Sequence, residues 1–322
     1  MTRKKQFGFS LLETMVSLAV LFAVGSIVLS GMGQLLRTQG SIANRTEMHS
    51  SVRSATELLQ QEIGQAGRMA LGTQTANVTL AANVLSNPAL ATPFTLTATG
   101  NAPLFLYPGE ALTVDIGSNQ ETVTLATGLN AAGTAIFQLP HLAGVPVSAL
   151  GAFATGIVPP AAAPTSYPNG STPTVLKLYG DINGDGNMVY VEYTCAPGTA
   201  AAPGFLYRNQ MAITQVGKPA VNNTMILLSN VLVNPNDANN NPVPCFAYQV
   251  KPLGASFCVT DIAVTLTVQT QNKDLQTQQF QPETKALLNV APRNIVEVYD
   301  TSNLVDSTRA QGMPATVTAL LP

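Results

Sequence analysis

The sharpest chemical pattern in the chain is an acidic, glycine-punctuated loop, Asp181-Ile-Asn183-Gly-Asp185-Gly186-Asn187-Met-Val-Tyr-Val-Glu192. Asp181, Asn183 and Asp185 alternate, Gly186 permits a sharp turn, and Glu192 stands at the twelfth position. Calcium takes hard oxygen ligands, and alternate residues of a tight loop can converge on it. On that reading the three side chains, the Asn187 carbonyl and Glu192 hold Ca2+. The flanks read otherwise. Thr174-Val-Leu-Lys-Leu-Tyr and Met188-Val-Tyr-Val-Glu-Tyr have strand composition, and Asn183-Gly184 and Asp185-Gly186 are hairpin-turn dipeptides. A plain β-hairpin is the competing reading, and either way the role is structural.

Other reactive residues are few. The three cysteines form no Cys-x-x-Cys pair, which argues against zinc-ribbon and thioredoxin-like sites. A disulfide is expected between Cys245 and Cys258, which can flank a hairpin, with pairings to Cys195 left open. The two histidines, His49 and His141, are far apart in sequence, and His141 reads as a structural or exposed loop residue. No nucleophile elbow, P-loop, dinucleotide fingerprint or His-Glu-x-x-His pattern is present. The chain is therefore read as a non-enzyme. A formal net charge of -2 does not suggest a nucleic-acid partner.

The elements that position these residues begin with an unusual N-terminus. Arg3, Lys4 and Lys5 precede an apolar run, and Glu13 is the only charged residue between positions 9 and 37. About 20 helical residues cross a bilayer core, so residues 11–36 suffice. The basic cluster is expected to stay cytoplasmic. A secretory signal would end in a small-residue cleavage site, yet here the helical pattern continues: Val52, Ala55, Leu59, Ile63, Ala66 and Ala70 recur at spacings of three and four. One helix is expected from about Ser10 to Met69, with Gly72 as its terminator. A plain anchor has no use for Glu13, because an intramembrane carboxylate is costly and by default functional.

Gly8-Phe9-Ser10-Leu11-Leu12-Glu13 resembles the processing site of type IV prepilins. The resemblance implies that a prepilin peptidase cuts between Gly8 and Phe9 and methylates Phe9. It also implies that Glu13 pairs with the N-terminal amine of a neighbouring subunit during assembly.

Beyond the helix, residues 73–175 contain no Lys or Arg, and short alternating runs such as Phe94-Thr-Leu-Thr, Ala111-Leu-Thr-Val and Glu121-Thr-Val-Thr-Leu are bounded by turn residues. The fold class expected is α+β: a long N-terminal helix, transmembrane then amphipathic, packed on an antiparallel β-rich head with an inserted β-rich module. The domain reading is a cleaved leader 1–8, a helix 9–72, an inserted module with a Pro/Ala-rich linker 73–172, and a C-terminal head 173–322. Tyr207-Arg208 and Arg293-Asn294 resemble features of PilW-like minor pilins and J-type pseudopilins of type II secretion. That resemblance implies a filament subunit whose partners are other pilins, prepilin peptidase and the bacterial inner membrane, with the head periplasmic. A calcium-dependent adhesin or surface binder displayed on the filament is the alternative from a different class.

Overall fold

The computed structural model describes residues 10–67, 78–98, 104, 106–149, 156–184, 187–253, 256–295 and 312–322. The class is α+β, as expected: a long, apolar N-terminal helix, α1 (Leu11–Gln65), is followed by antiparallel sheets. The chain divides into two compact units, residues 1–51 with 269–282, and residues 52–268 with 283–322.

The first unit is the leading part of α1 and a loop centred on Asp274. Asp274 is buried and accepts from the Ser41 hydroxyl, from Gln281 Nε2 at 2.9 Å, and from the amides of Gln276 and Thr277 at 2.8 and 2.9 Å. Arg45 donates to the Gln281 side chain, and Asn272 donates to Asn44 at 3.4 Å. The Ser41 hydrogen bond and the two amides hold the Asp274 carboxyl down at about 2.

The second unit holds the rest of α1 and all the sheets. Six short strands, β1 (Val78–Leu80), β2 (Thr92–Ala98), β3 (Ala111–Val114), β4 (Glu121–Leu129), β5 (Ala132–Ala135) and β6 (Val147–Ala149), form one antiparallel sheet in the order β1-β2-β5-β4-β3-β6. Its period-two alternation turns Phe94, Leu96, Ala98, Val123 and Leu125 to one buried face. Seven strands make the other sheet: β7 (Val175–Gly180), β8 (Val189–Ala196), β9 (Gly204–Ala212), β10 (Ile226–Leu232), β11 (Phe246–Leu253), β12 (Ser256–Gln269) and β13 (Pro282–Val290), in the order β11-β12-β10-β9-β8-β7, with β13 on β12.

β7 and β8 are buried almost without alternation, because both faces are covered. One face carries Tyr193 toward α1, where its hydroxyl donates to Glu62. The other carries Tyr179 and Tyr190 into a cluster with Val317, Leu320 and Leu321, residues of and next to the short helix α2 (Ala315–Leu320).

The amphipathic stripe expected on α1 is the buried one: Val52, Ala55, Leu59, Ile63 and Ala66 are all at most 7 % exposed, while Arg53, Glu57, Gln60 and Gln61 face solvent. The expected helix end is corrected. α1 stops at Gln65 rather than near Met69, because Gly67 takes φ +81° and donates to Tyr179 O at 2.8 Å, leaving the helix to lie beside Gly180 of β7. Met69, Ala70 and Gly72 lie outside the described residues.

Candidate functional site: the N-terminal helix and its seat in the head

The first turn of α1 is built by Ser10. Its carbonyl accepts from the amides of Glu13 and Thr14 at 3.0 and 3.2 Å, and its hydroxyl accepts from Glu13 N at 3.2 Å, which satisfies amides that a helix start leaves without partners. Glu13 thus sits in the first turn, where the helix dipole favours an anion. Thr14 and Ser26 return their hydroxyls to the carbonyls of Leu11 and Ala23 at 2.9 and 2.8 Å. These two hydroxyls therefore find acceptors inside the helix. The side chains around them, including Leu18, Leu21, Phe22, Ile27 and Leu29, are 51–71 % exposed. α1 is long and apolar enough to cross a membrane. Gly8 and Phe9 lie outside the described residues.

At its other end α1 is seated by residues that sequence reasoning did not nominate for this purpose. Glu62 is 3 % exposed. It accepts from the Tyr193 hydroxyl and from Arg208 Nε at 3.0 Å, with a closer contact from Arg208 Nη2. Burial opposes the Arg208 charge, but the hydrogen bonds and attraction of Glu62 outweigh it and keep the guanidinium pKa above its usual value. Burial, then the Glu62 charge, pushes the Tyr193 phenol well up. Asn294 Nδ2 faces the carbonyls of Gln65, Ala66 and Gly67 at 3.3–3.4 Å, serving the acceptors that a helix end leaves over. The Tyr207-Arg208 and Arg293-Asn294 pairs thus each give one residue to the seat of α1. Glu62 could have been found as a carboxylate between Leu59 and Ile63 on the buried stripe.

The Asp-rich loop joins β7 to β8. Lys177 pairs with Glu192 across these strands, and Gly180 with Val189. Glu192 is therefore three residues up the returning strand from Val189, about 10 Å by strand rise. Its carboxylate is committed elsewhere: Lys218 Nζ is at 2.8 Å, the Tyr190 hydroxyl donates at 2.9 Å, and Lys177 Nζ lies at 3.9 Å. Lys177 in turn donates to Leu321 O at 2.6 Å and Asn169 O at 3.0 Å. Asn183 accepts from Gln210 at 3.5 Å. Asp181 and Asn187 flank the turn, and Asp185 and Gly186 lie outside the described residues. Among the described residues no group of three His, Cys, Asp or Glu side chains is arranged to hold a metal.

The expected Cys245–Cys258 bridge is replaced by Cys195–Cys245, with Cα atoms 6.5 Å apart and Cys258 free and buried. The register explains it. β11 and β12 do form a hairpin, but Cys258 lies opposite Lys251, whereas Cys245 precedes Phe246, which lies opposite Val264. Meanwhile Cys195 N donates to Thr174 O and Phe246 N to Pro173 O, so adjacent residues of one segment gather Cys195 and Cys245. Burial raises the Cys258 thiol to about 11.

His141, expected as a structural or exposed residue, is 2 % exposed and held at both nitrogens, by Asp115 at 3.2 Å and Glu121 at 2.7 Å. Glu121 also accepts from the amides of Gln138 and Leu139 at 2.9 and 3.2 Å. These contacts tie the β5–β6 connection to the starts of β4 and the end of β3.

Residues 3–32 match the family model described as the prokaryotic N-terminal methylation motif. No curated protein and no solved structure gives a match. The matched span contains Gly8, Phe9 and Glu13 and most of the exposed apolar run of α1, so the chain carries a type IV pilin-like prepilin signal ahead of its β-rich head.

Proposed function

We propose that the protein is a minor pilin: a structural subunit that primes, caps or decorates a type IV pilus after prepilin peptidase removes residues 1–8. The observation that carries this reading is the union of the methylation motif at residues 3–32 with an apolar helix whose leading side chains are exposed among the described residues. Such a surface needs lipid before assembly and neighbouring helices afterwards. In this reading the first part of α1 is the anchor in the inner membrane, the basic residues before it remain cytoplasmic, and the head is exported. The size of the head supports a minor over a major subunit, since the thirteen strands among the described residues would crowd a dense shaft. A pseudopilin of type II secretion shares the same signal and is the neighbouring assignment. Calcium in the β7–β8 loop would rest on Asp181, Asn183, Asp185 and Asn187, since Glu192 is held by two lysines. A calcium-dependent surface-binding role would follow from that loop.

The test is co-expression with a prepilin peptidase and mass measurement of the N-terminus. The expected product begins at Phe9, with the N-methyl group added. Retention of residues 1–8, under conditions that process a control prepilin, overturns the proposal.

A further inference from the structure

The loop between β12 and β13 is pinned to α1 one helical turn beyond the apolar run. Leu36 is the last residue of that run, and Arg37 follows it. A Cβ at Gly40 would stand 3.1 Å from Leu275 Cδ1, Ser41 donates to Asp274, and Asn44 accepts from Asn272. The loop therefore runs alongside residues 40–45, with Leu275 at the end nearest the apolar run. Four residues of helix advance about 6 Å. A bilayer's hydrocarbon core is about 30 Å thick, and its headgroup layers bring it to about 40–45 Å, so each layer is roughly 5–7 Å deep. The run 11–36 is about 39 Å long against a core of about 30 Å, so Leu275 falls at headgroup depth when Leu36 marks the outer edge of the core, the placement that keeps Arg37 out of the hydrocarbon.

The residues displayed there suit such a layer. Leu275 is 48 % exposed and Ile42 59 % exposed. Lys273 is exposed, its Nζ 5.7 Å from the Phe280 ring centroid, and Arg37 and Arg45 are exposed on the helix beside it. The acid in their midst, Asp274, is turned inward onto four donors. What remains outward around Leu275 is cationic and apolar, the combination that an anionic lipid surface attracts, with the exposed Glu47 further along the helix, beyond Arg45.

We infer that the β12–β13 loop is a membrane-surface contact, which seats Leu275 among anionic lipid headgroups and fixes this unit against the bilayer before the subunit is taken into a filament. The inference rests on the reading of residues 11–36 as the membrane anchor. The Asp274 clasp gives the contact its rigidity, because it sets the tip's depth by attaching it to the helix that crosses the membrane.

The chain has no Trp, so a single introduced indole reports its own position. Full-length Leu275→Trp and, as a second reporter that leaves the Gly40 contact intact, Gln276→Trp would be placed in phosphatidylcholine vesicles with and without phosphatidylglycerol, with quenchers carried near the headgroup or deep in the acyl chains. Leu21→Trp is the reference for the anchor. Expected are quenching of both loop reporters by the shallow quencher, strengthened by phosphatidylglycerol, and of Leu21→Trp by the deep one. Lys273→Ala should weaken the phosphatidylglycerol effect about fivefold. Asp274→Ala should reduce the loop signal and leave Leu21→Trp unchanged. Loop reporters open only to aqueous quenchers, beside a quenched Leu21→Trp, overturn the inference alone. An unquenched Leu21→Trp overturns the anchor reading and the inference with it. Loop emission that changes with protein density rather than lipid composition assigns the surface to a second copy and also overturns it.

Discussion

Glu62 is a carboxylate with almost no access to water and donors from two strands aimed at it. Removing it leaves a buried phenol without its acceptor and a half-buried guanidinium with Gln210 in place of a carboxylate. Loss of one partner of a buried pair costs about 3–5 kcal/mol. The Arg208 side chain retains 23 % exposure, so Glu62→Ala is expected to destabilise the head by less, about 2–3 kcal/mol. Glu62→Gln, which can still accept, should cost less again. Urea unfolding of the detergent-solubilised protein measures both, and equal effects would refute the ionic part of the argument. The cysteines give a second residue-scale prediction. Closing a loop between residues 50 apart in sequence stabilises by about 4 kcal/mol on chain entropy. Cys195→Ser should therefore lower stability strongly, and Cys258→Ser only mildly. Non-reducing peptide mapping should recover a Cys195–Cys245 linked pair. Both features show what spacing conceals. Cys258 looked like the partner of Cys245 because it is near in sequence, but hairpin register and the shared contact with residues 173 and 174 decide the pairing. Glu62 was legible only as an oddity on an apolar stripe, since its partners arrive from strands about 130 to 146 residues away.

At the scale of elements, the end of α1 depends on three glycines. A Cβ on Gly156 would stand 2.1 Å from Gly67 N, and one on Gly180 would stand 2.7 Å from Gly67 N and O. Neither neighbour can move without breaking the Gly67–Tyr179 and Tyr179–Gly156 hydrogen bonds. Gly156→Ala is thus expected to cost about 1–3 kcal/mol or more through overpacking. Gly64→Ala, in open space on the helix, should be neutral or stabilising. Thermal unfolding separates the two. The Asp274 clasp carries a pH dependence. Its carboxyl is held near 2 in the folded unit against about 3.9 in an unfolded chain. The folded value is depressed, so its contribution is complete above about pH 4 and disappears as pH falls through about 2. Ser41 and Gln281 donate to it, and Arg45 joins them through Gln281. Asp274→Asn should flatten the stability profile between pH 4 and 2, leaving that above pH 5 parallel to the parent. The elements themselves were largely legible. Alternation at 94–97, 111–114 and 121–125 and the 3-and-4 stripe on α1 are local signals of burial. The early exit of α1 was legible only in part: Gly67 supplies the residue type that a positive φ needs, but what selects it over Gly72 is its meeting with the backbone of β7.

On the scale of the whole molecule, the proposed function asks the same chain to be stable in two apolar settings, a bilayer before assembly and a bundle of helices after it. The exposed side chains from Leu11 to Leu36 suit both, and Glu13 suits only one. In lipid a carboxylate is unfavourable, by about 2.5–3.5 kcal/mol for a charged group at mid-helix and less near an end. In the proposed filament, an amine of a neighbouring subunit beside Glu13 would convert that penalty into attraction, since opposite charges in a low dielectric interact far more strongly than in water. Anchoring and assembly should therefore respond oppositely to one substitution. Glu13→Leu is expected to hold the protein in the membrane at least as firmly as the parent, with cleavage after Gly8 retained, and to lose co-purification with filament subunits. The measurement is membrane fractionation, N-terminal mass and pull-down of a sheared filament preparation from the same cells. Retained filament incorporation would mean that Glu13 serves no pairing and that the apolar face of α1 suffices for assembly. Loss from the membrane would mean that the carboxylate, and not the apolar run, positions the helix.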